Sequence, residues 1–541
     1  MSAAFRKYAL LLLTGLWLVT LIGIKSVPLE THEVYVLQTA QEMQTSGDWI
    51  LPHFNDSLRL QKPPFSYWAT LLISKLDPLN DYVQIWHGRL VSMLAGLLMV
   101  LATARAGTVF YGRKTGLLAA LLLLSTQGFI NLSHSARPDF LYSTFCFLQL
   151  AAWVDAWMAT DGTVRQIRSS LIGWAAAALA MLTKGPQVPA VFLLGILLFL
   201  LTRTERKRIL RILHPFSGTV LFCVIVLPWW FLLNRRLQSL GVNIADSQLS
   251  GSLLHNLAGW KDILSGYYIW TLFVLLLPAS LAIPFIFRKL WTDRSNTSAV
   301  TRLLMIVCGT LLVAFTLGGH YRKHYLIPLL PIFALFLARA VYISPSADLK
   351  IRWRKMLIAI CVLATLGGAG LLLYCGAYVM LLILPVYTLM LLLIGKKVIA
   401  NTEWNGPLLS TRMPPYAILI TVIMSVYVGF LPMNPNRVGE QDFSEYIAQT
   451  LKPEDLLVEW KCSPANLPFY ARRGVVCYTD LEKLKTCLTE NRGDHQVFVV
   501  LPASELEWFT SVFKNDVVQG TKNYRKADEN FVFIKLRGRN D

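Results

Sequence analysis

Long apolar runs recur through most of the first 431 residues, and no other feature limits the fold so severely. They can be placed at roughly 8–26, 83–105, 115–133, 139–159, 168–183, 186–202, 216–233, 266–287, 303–319, 324–343, 356–374, 376–395 and 413–431. That makes about thirteen spans, since about 20 apolar residues cross a bilayer. Of 541 residues, 55% are hydrophobic and only 15% charged, where ordinary soluble domains have about a quarter charged. A large soluble core is the alternative, and the repetition of the runs argues against it.

The formal net charge is +19, which raises nucleic acid as a partner. The placement of the charge argues otherwise. Basic residues gather in short loops: Arg113 and Lys114; Arg165 and Arg168; Arg203 to Arg211; Arg288 to Arg294; Lys350 to Lys355; Lys396 and Lys397. Poorly basic loops alternate with them, which is the positive-inside pattern. No basic stripe interleaved with aromatics marks a nucleic-acid face. The pattern predicts a multi-pass membrane protein with a cytoplasmic N-terminus and its C-terminus outside, in the periplasm or at the cell exterior. Arg6 and Lys7 precede the first run, and no small-x-small cleavage site follows it, so a retained helix is expected rather than a signal peptide.

From about Pro432 charge rises and the apolar runs shorten. Strands are predicted at 455–460, 474–478, 496–501 and 530–534, with helices around 442–451, 480–490 and 503–513 between them. The alternation suggests a small α/β domain over 432–541 with a mostly parallel sheet. Residues 1–431 form the membrane domain. Cys462, Cys477 and Cys487 fall in the outer domain, and an oxidising compartment predicts one disulfide and one free thiol among them.

The first outer loop, 27–82, is the chemically richest segment. It carries Thr31-His32-Glu33, Gly47-Asp48-Trp49 and Lys62-Pro63-Pro64 with Tyr35, Tyr67 and Trp68. A long loaded loop held against a membrane is a candidate active site. Val34 to Met43 has helical spacing and is expected to lie on the membrane surface. Pro63-Pro64 is expected to end or start a second short helix, since proline is tolerated at a helix start. Other outer segments bring Arg137 and Asp139, Lys184, Arg322 and Lys323, and Tyr325. A single such charge reads as a snorkelling anchor, but the set together reads as a functional cavity. No H-e-x-x-H motif exists. His320 and His324 lie four apart, but Arg322 and Lys323 between them oppose a dication. No metal site is therefore expected there and no cofactor is called for, although a divalent ion stays open.

Three strings, in order, carry a resemblance: the loop motifs above, Arg137-Pro138-Asp139, and Leu182-Thr183-Lys184-Gly185-Pro186. With His324-Tyr325-Leu326-Ile327-Pro328 after them, the chain resembles the bacterial, lipid A-modifying branch of the dolichyl-phosphate-mannose protein mannosyltransferase family. Leu467-Pro468-Phe469-Tyr470 and Arg473-Gly474-Val475 resemble that branch's periplasmic domain more weakly. The resemblance implies a GT-C fold: an α-helical polytopic membrane protein with a small C-terminal α/β domain. It implies a glycosyltransferase with a polyprenyl-phosphate-linked sugar as donor and lipid A or another envelope glycolipid as acceptor.

Lys62 matches the family lysine that holds the donor phosphate, with Arg137, Lys184, Arg322 and Lys323 as further phosphate-binding candidates. Tyr35, Tyr67, Trp68 and Tyr325 are expected to line the substrate. The family commonly has Asp-Glu at the start of the loop, and here the pair aligns as His32-Glu33. Glu33 is then the first candidate for the base, with His32 and Asp139 as rivals. The leaving polyprenyl phosphate needs cationic stabilisation. A hydroxyl acceptor needs a base, and a phosphate acceptor needs none.

A transporter or flippase of a lipid-linked sugar is the reading from another class. Transporters often show internal repeats and matched helix breaks, and neither is seen. Protein O-glycosylation is a further enzyme reading. The sugar and the oligomeric state are not legible.

Overall fold

The computed structural model describes Trp17, Ile24 and residues 29–242, 265–277, 279–283, 298–318, 321–343, 435–462, 466–491, 496–513, 517–525 and 530–536. The predicted spans at 356–374, 376–395 and 413–431 lie outside these residues, as does His320.

The first outer loop folds into α1 (Thr31–Ser46), a two-stranded hairpin β1 (His53–Phe54) and β2 (Ser57–Leu58), and α2 (Phe65–Lys75). Val34, Leu37, Ala40 and Met43 recur at helical spacing along α1 and are buried together with Tyr67 and Leu71 of α2. Gly47 ends α1 at φ 70°, the left-handed conformation that suits glycine. Pro64 caps α2, as the Pro-Pro pair predicts.

The apolar helices follow: α3 (Ile85–Tyr111), α4 (Arg113–Leu124), α5 (Gln127–Ser133), α6 (Pro138–Met158), α7 (Val164–Lys184), α8 (Gln187–Leu201), α9 (Arg206–Ile212) and α10 (Pro215–Ser239). After them come α11 (Tyr267–Leu275), α12 (Ala299–Leu317), a 3-10 stretch (Lys323–Leu329) and α13 (Leu330–Ile343). Among the described residues four helical segments are long and apolar enough to cross a membrane, or up to five counting a bent pair. That pair is α4 and α5, bent by 62° where one straight run at 115–133 is expected. Ser125 and Thr126 turn their hydroxyls onto the Leu122 and Leu123 carbonyls there, and the Thr126 hydroxyl also accepts the Phe129 N–H to start α5. The helices pack closely where side chains are small. A Cβ on Gly107 of α3 would lie 2.6 Å from the Gly116 Cα of α4, so a larger residue would push the two helices apart.

The C-terminal part holds α14 (Pro435–Thr450), β3 (Leu456–Trp460), α15 (Leu467–Ala471), β4 (Val476–Tyr478), α16 (Leu481–Asn491), β5 (Val497–Pro502), α17 (Leu506–Val512), β6 (Val517–Arg525) and β7 (Asn530–Leu536). The strand order is β4-β3-β5-β7-β6. β4, β3 and β5 run parallel, while β7 pairs antiparallel with both β5 and β6. The sheet is thus mixed rather than mostly parallel. β6 and β7 are joined through a short connection, which admits only the antiparallel arrangement. Both faces are covered. Val458, Val499 and Ile534 pack on Leu484, Leu488 and Phe509, while Leu457, Phe498 and Phe533 pack on Phe443, Ile447 and Leu467. The alternation is the two-residue period of a strand buried on both sides.

The expected disulfide is not formed. None of Cys462, Cys477 and Cys487 is bridged to another. The Cys477 thiol donates to the Cys462 carbonyl at 2.8 Å, and the Cys462 thiol instead points to the Val500 carbonyl at 3.4 Å.

Candidate active site

Three helix ends meet at the site. Arg137 caps α6, Pro138 opens it with its fixed φ, and Asp139 lies in the first turn, where a helix N-terminus favours an anion. Lys184 closes α7, where the helix C-terminus favours a cation. Gly185 follows at φ 109°, a conformation that side-chained residues resist, and Pro186 caps α8. The Lys-Gly-Pro string is therefore a helix stop, a turn and a helix start that together aim one ammonium back at α6.

Asp139 is the centre of the arrangement. It is buried and hydrogen-bonded to the Lys184 ammonium. Its Oδ2 accepts from Arg137 Nε at 3.0 Å, and Oδ1 lies 3.7 Å from His324 Nε2. Lys184 Nζ also stands 4.8 Å from the ring centre of Tyr325, which is stacked on Phe315. Lys62 is half-buried in the loop before α2. Burial lowers its ammonium to about 8, and the charges of Lys184, Arg322 and Arg59 act in the same sense against the pull of Asp139. Crowding cations around a group that gives up its proton this readily makes a site short of negative charge, which a phosphate would supply.

His32 stands exposed at the start of α1. Loss of hydration, then the Arg137 charge, holds its imidazole below the ordinary value, while Asp139 and Glu30 act in the opposite sense. It therefore belongs electrostatically to the same group.

Glu33 does not face this group. The residue is 1% exposed, and its side chain grips the fully buried Arg89 of α3 with both oxygens, at 2.9 and 3.0 Å. It also accepts the Ala136 N–H at 2.7 Å and the Glu30 N–H at 2.9 Å. Arg89 in turn donates to the Ile24 carbonyl at 2.9 Å. The pair braces α1 against α3 and the chain entering α6.

Of the other sequence candidates, Tyr35 faces Arg59, whose guanidinium lies 4.1 Å from the ring centre. Tyr67 is buried, with the Arg59 charge acting on its hydroxyl. The Trp68 indole N–H donates to the Trp49 carbonyl at 2.8 Å. Arg322 and Lys323 are exposed, and Lys323 makes no ion pair among the described residues. Sequence reasoning missed Arg59 and gave His324 no place at the site. Arg59 belongs to no motif, and only the fold sets its guanidinium over Tyr35 of α1. Among the described residues there is no group of three or more metal-type ligands.

Comparison with known proteins agrees with the motif resemblance. Residues 61–231 match the model of the dolichyl-phosphate-mannose-protein mannosyltransferase family. The undecaprenyl phosphate-α-4-amino-4-deoxy-L-arabinose arabinosyl transferase of Pseudomonas aeruginosa is 26% identical over 487 residues, covering 84% of each chain. An uncharacterized protein of Aquifex aeolicus is 29% identical over 206 residues, which span 37% of this chain and 38% of that relative. Among solved structures, ArnT of Cupriavidus metallidurans bound to undecaprenyl phosphate superposes with a TM-score of 0.75 at 19% identity, covering 99% of this chain and 98% of that one. An oligosaccharyltransferase of Archaeoglobus fulgidus gives a TM-score of 0.53 at 9% identity, covering 93% and 71%. The chain has the ArnT-like GT-C fold with several apolar helices.

Proposed function

We propose that this chain is a glycosyltransferase that moves a sugar from a polyprenyl-phosphate donor to lipid A or another envelope glycolipid. The class, donor type and lipid A modification rest on the arabinosyl transferase relative, the family match and the shared fold. The single structural observation that carries the reading is the convergence of Lys62, Lys184, Arg137 and Arg322 around the buried Asp139. Such a cluster suits a departing phosphate.

In the proposed reaction the bond between the sugar's anomeric carbon and the donor phosphate breaks. The electron pair leaves on the phosphate, so negative charge grows there as the bond lengthens. Preorganised cations stabilise that growing charge more than the ground state. Lys62 is the chief candidate because its ammonium is not already spent on an ion pair among the described residues, whereas Lys184 and Arg137 are committed to Asp139. Arg322 supplies a second exposed cation. Asp139 holds Lys184 and Arg137 in place and stays a candidate for ordering the acceptor. About thirteen spans, an inner-membrane setting and a periplasmic domain over 432–541 complete the proposal.

The test uses the purified full chain with undecaprenyl phosphate-4-amino-4-deoxy-L-arabinose and bisphosphorylated lipid A. Lys62→Ala is expected to lower kcat by roughly 10²-fold or more, equivalent to about 3 kcal/mol of transition-state stabilisation, with little loss of stability because Lys62 lies in a loop. A group titrating at about 8 must be protonated to hold phosphate, so kcat/KM of the unaltered chain should fall as pH rises through that value. Near-normal transfer by Lys62→Ala, or a flat alkaline profile, would remove Lys62 from the role.

A further inference from the structure

The C-terminal sheet has a point at which its winding reverses. From β3 the chain crosses by α15 to β4 on one side, and from β4 it returns by α16 to β5 on the other side of β3. α15 packs on one face of the sheet, and α16 and α17 pack on the opposite face. The connections leaving the carboxyl ends of the parallel neighbours β3 and β5 therefore diverge. In open α/β sheets that divergence is where ligands bind.

Aromatic and charged groups gather at this place. Trp460 ends β3 and is buried, and Trp508 of α17 stacks on it with ring centres 5.4 Å apart and planes at 9°. Trp508 itself is 39% exposed, an indole held flat by its neighbour rather than sealed in the core. Lys461 follows at φ 49°, a left-handed conformation uncommon for a residue with a side chain. Its ammonium lies 5.2 Å from both indole ring centres. It also pairs at 3.1 Å with the carboxylate of Glu505, from the 3-10 turn after β5. The Trp460 indole N–H donates to the same carboxylate at 3.4 Å. The proposed transfer step uses none of these four residues.

Their chemistry selects a class of ligand. The ammonium and the carboxylate offset each other, so the place does not favour a bare anion. Side by side they offer a hydrogen-bond donor and acceptors to hydroxyl groups. The indole face carries negative potential and attracts the partly positive C–H groups of a sugar ring. Position adds a second restriction. The hairpin meets the sheet at Val475, just before β4, and the carboxyl ends lie roughly 10 Å further along the strands. A membrane-anchored ligand reaches past the hairpin to that end only with an extended head group. Resting on the transferase reading above, we propose that Trp508, Lys461 and Glu505 form a saccharide subsite that holds the oligosaccharide of the glycolipid acceptor, away from the reacting centre.

The experiment uses the purified full chain, undecaprenyl phosphate-4-amino-4-deoxy-L-arabinose as donor, and two acceptors: lipid A alone and lipopolysaccharide that keeps its oligosaccharide. The free oligosaccharide, released from the lipid, is titrated calorimetrically as a binding probe that needs no transfer. The unaltered chain is expected to bind the free oligosaccharide and to show an acceptor KM roughly tenfold lower for lipopolysaccharide than for lipid A. Trp508→Ala should remove that advantage and the calorimetric signal, and Trp508→Phe should keep most of both. Glu505→Gln should weaken both several-fold, with the thermal midpoint held because its ion pair is part-exposed. It therefore decides the question even if Trp508→Ala lowers the midpoint. Equal KM for the two acceptors, no calorimetric signal, or an advantage that survives both Trp508→Ala and Glu505→Gln would each overturn the subsite while leaving the transferase reading intact. No transfer by the unaltered chain to either acceptor would overturn that reading, and the titration would still decide whether a saccharide binds at Trp508.

Discussion

Two glutamates three positions apart on one helix start have opposite fates, and the difference is set by what surrounds them. Glu33 turns inward and meets Arg89 in a bidentate pair, while Glu30 stays at the edge near Arg137. A buried pair that loses one partner leaves the other charge stranded, at a cost of about 3–5 kcal/mol. Glu33→Gln should therefore act first on stability. The thermal midpoint of the purified chain should drop by several degrees, with activity lost in proportion to the folded fraction. A variant with an unchanged midpoint and abolished turnover would instead mark Glu33 as a chemical group. The sequence made Lys62, Arg137, Asp139 and Lys184 legible because each sits in a short string whose backbone geometry it also explains. It could not show that Glu33 is spent. Its partner lies 56 residues away in sequence, and the contact depends on the rotation of α1 against α3.

At the level of elements, apolar periodicity located most described spans to within a few residues, because burial of a continuous helix depends on local pattern alone. The misses have local causes of another kind. The bend between α4 and α5 comes from hydroxyls competing for backbone groups inside an apolar run. β6 was missed because Thr521-Lys522-Asn523-Tyr524-Arg525 is too polar to read as a strand, and pairing with β7 makes it one. A link between the hairpin and the C-terminal sheet was also invisible in sequence. The Asn55 side chain accepts the Val475 N–H at 2.6 Å and donates to the Val475 carbonyl. The Asn55 N–H is held by Glu42 at 2.7 Å, and Asp56 lies so close to Gly474 that a Cβ there would collide with its carboxylate. Two hydrogen bonds of this kind contribute about 1–3 kcal/mol. Gly474→Val should break the docking, seen as faster limited proteolysis between the membrane part and the sheet and as several-fold lower kcat. Unchanged proteolysis and turnover would show that the hairpin is positioned without the sheet.

Across the whole molecule, each end of one helix pair carries a buried aspartate paired with cations. α6 runs from Asp139 at the site to Asp155, which is bonded to Arg165, to Ser169 at 2.7 Å and to Arg105 at 2.8 Å. α7 returns from that end to Lys184. A helix of 21 residues spans about 30 Å at 1.5 Å per residue, close to the hydrocarbon thickness of a bilayer. The site and the Asp155 cluster are therefore expected at opposite membrane boundaries. Arg203, Arg206, Lys207, Arg208 and Arg211 lie between α8 and α10, and α8 begins at Pro186 beside the site and runs away from it. The positive-inside preference leads us to expect that basic end in the cytoplasm. The Asn55–Val475 link then ties the sheet to the opposite face, because Asn55 belongs to the loop that carries Lys62. Reporter fusions at Arg208 and at the C-terminus should accordingly report opposite sides, cytoplasmic for the first and periplasmic for the second. Both reporters on one side would break the argument at its base, since the site, the hairpin and the sheet would then lie on the face that carries the arginines.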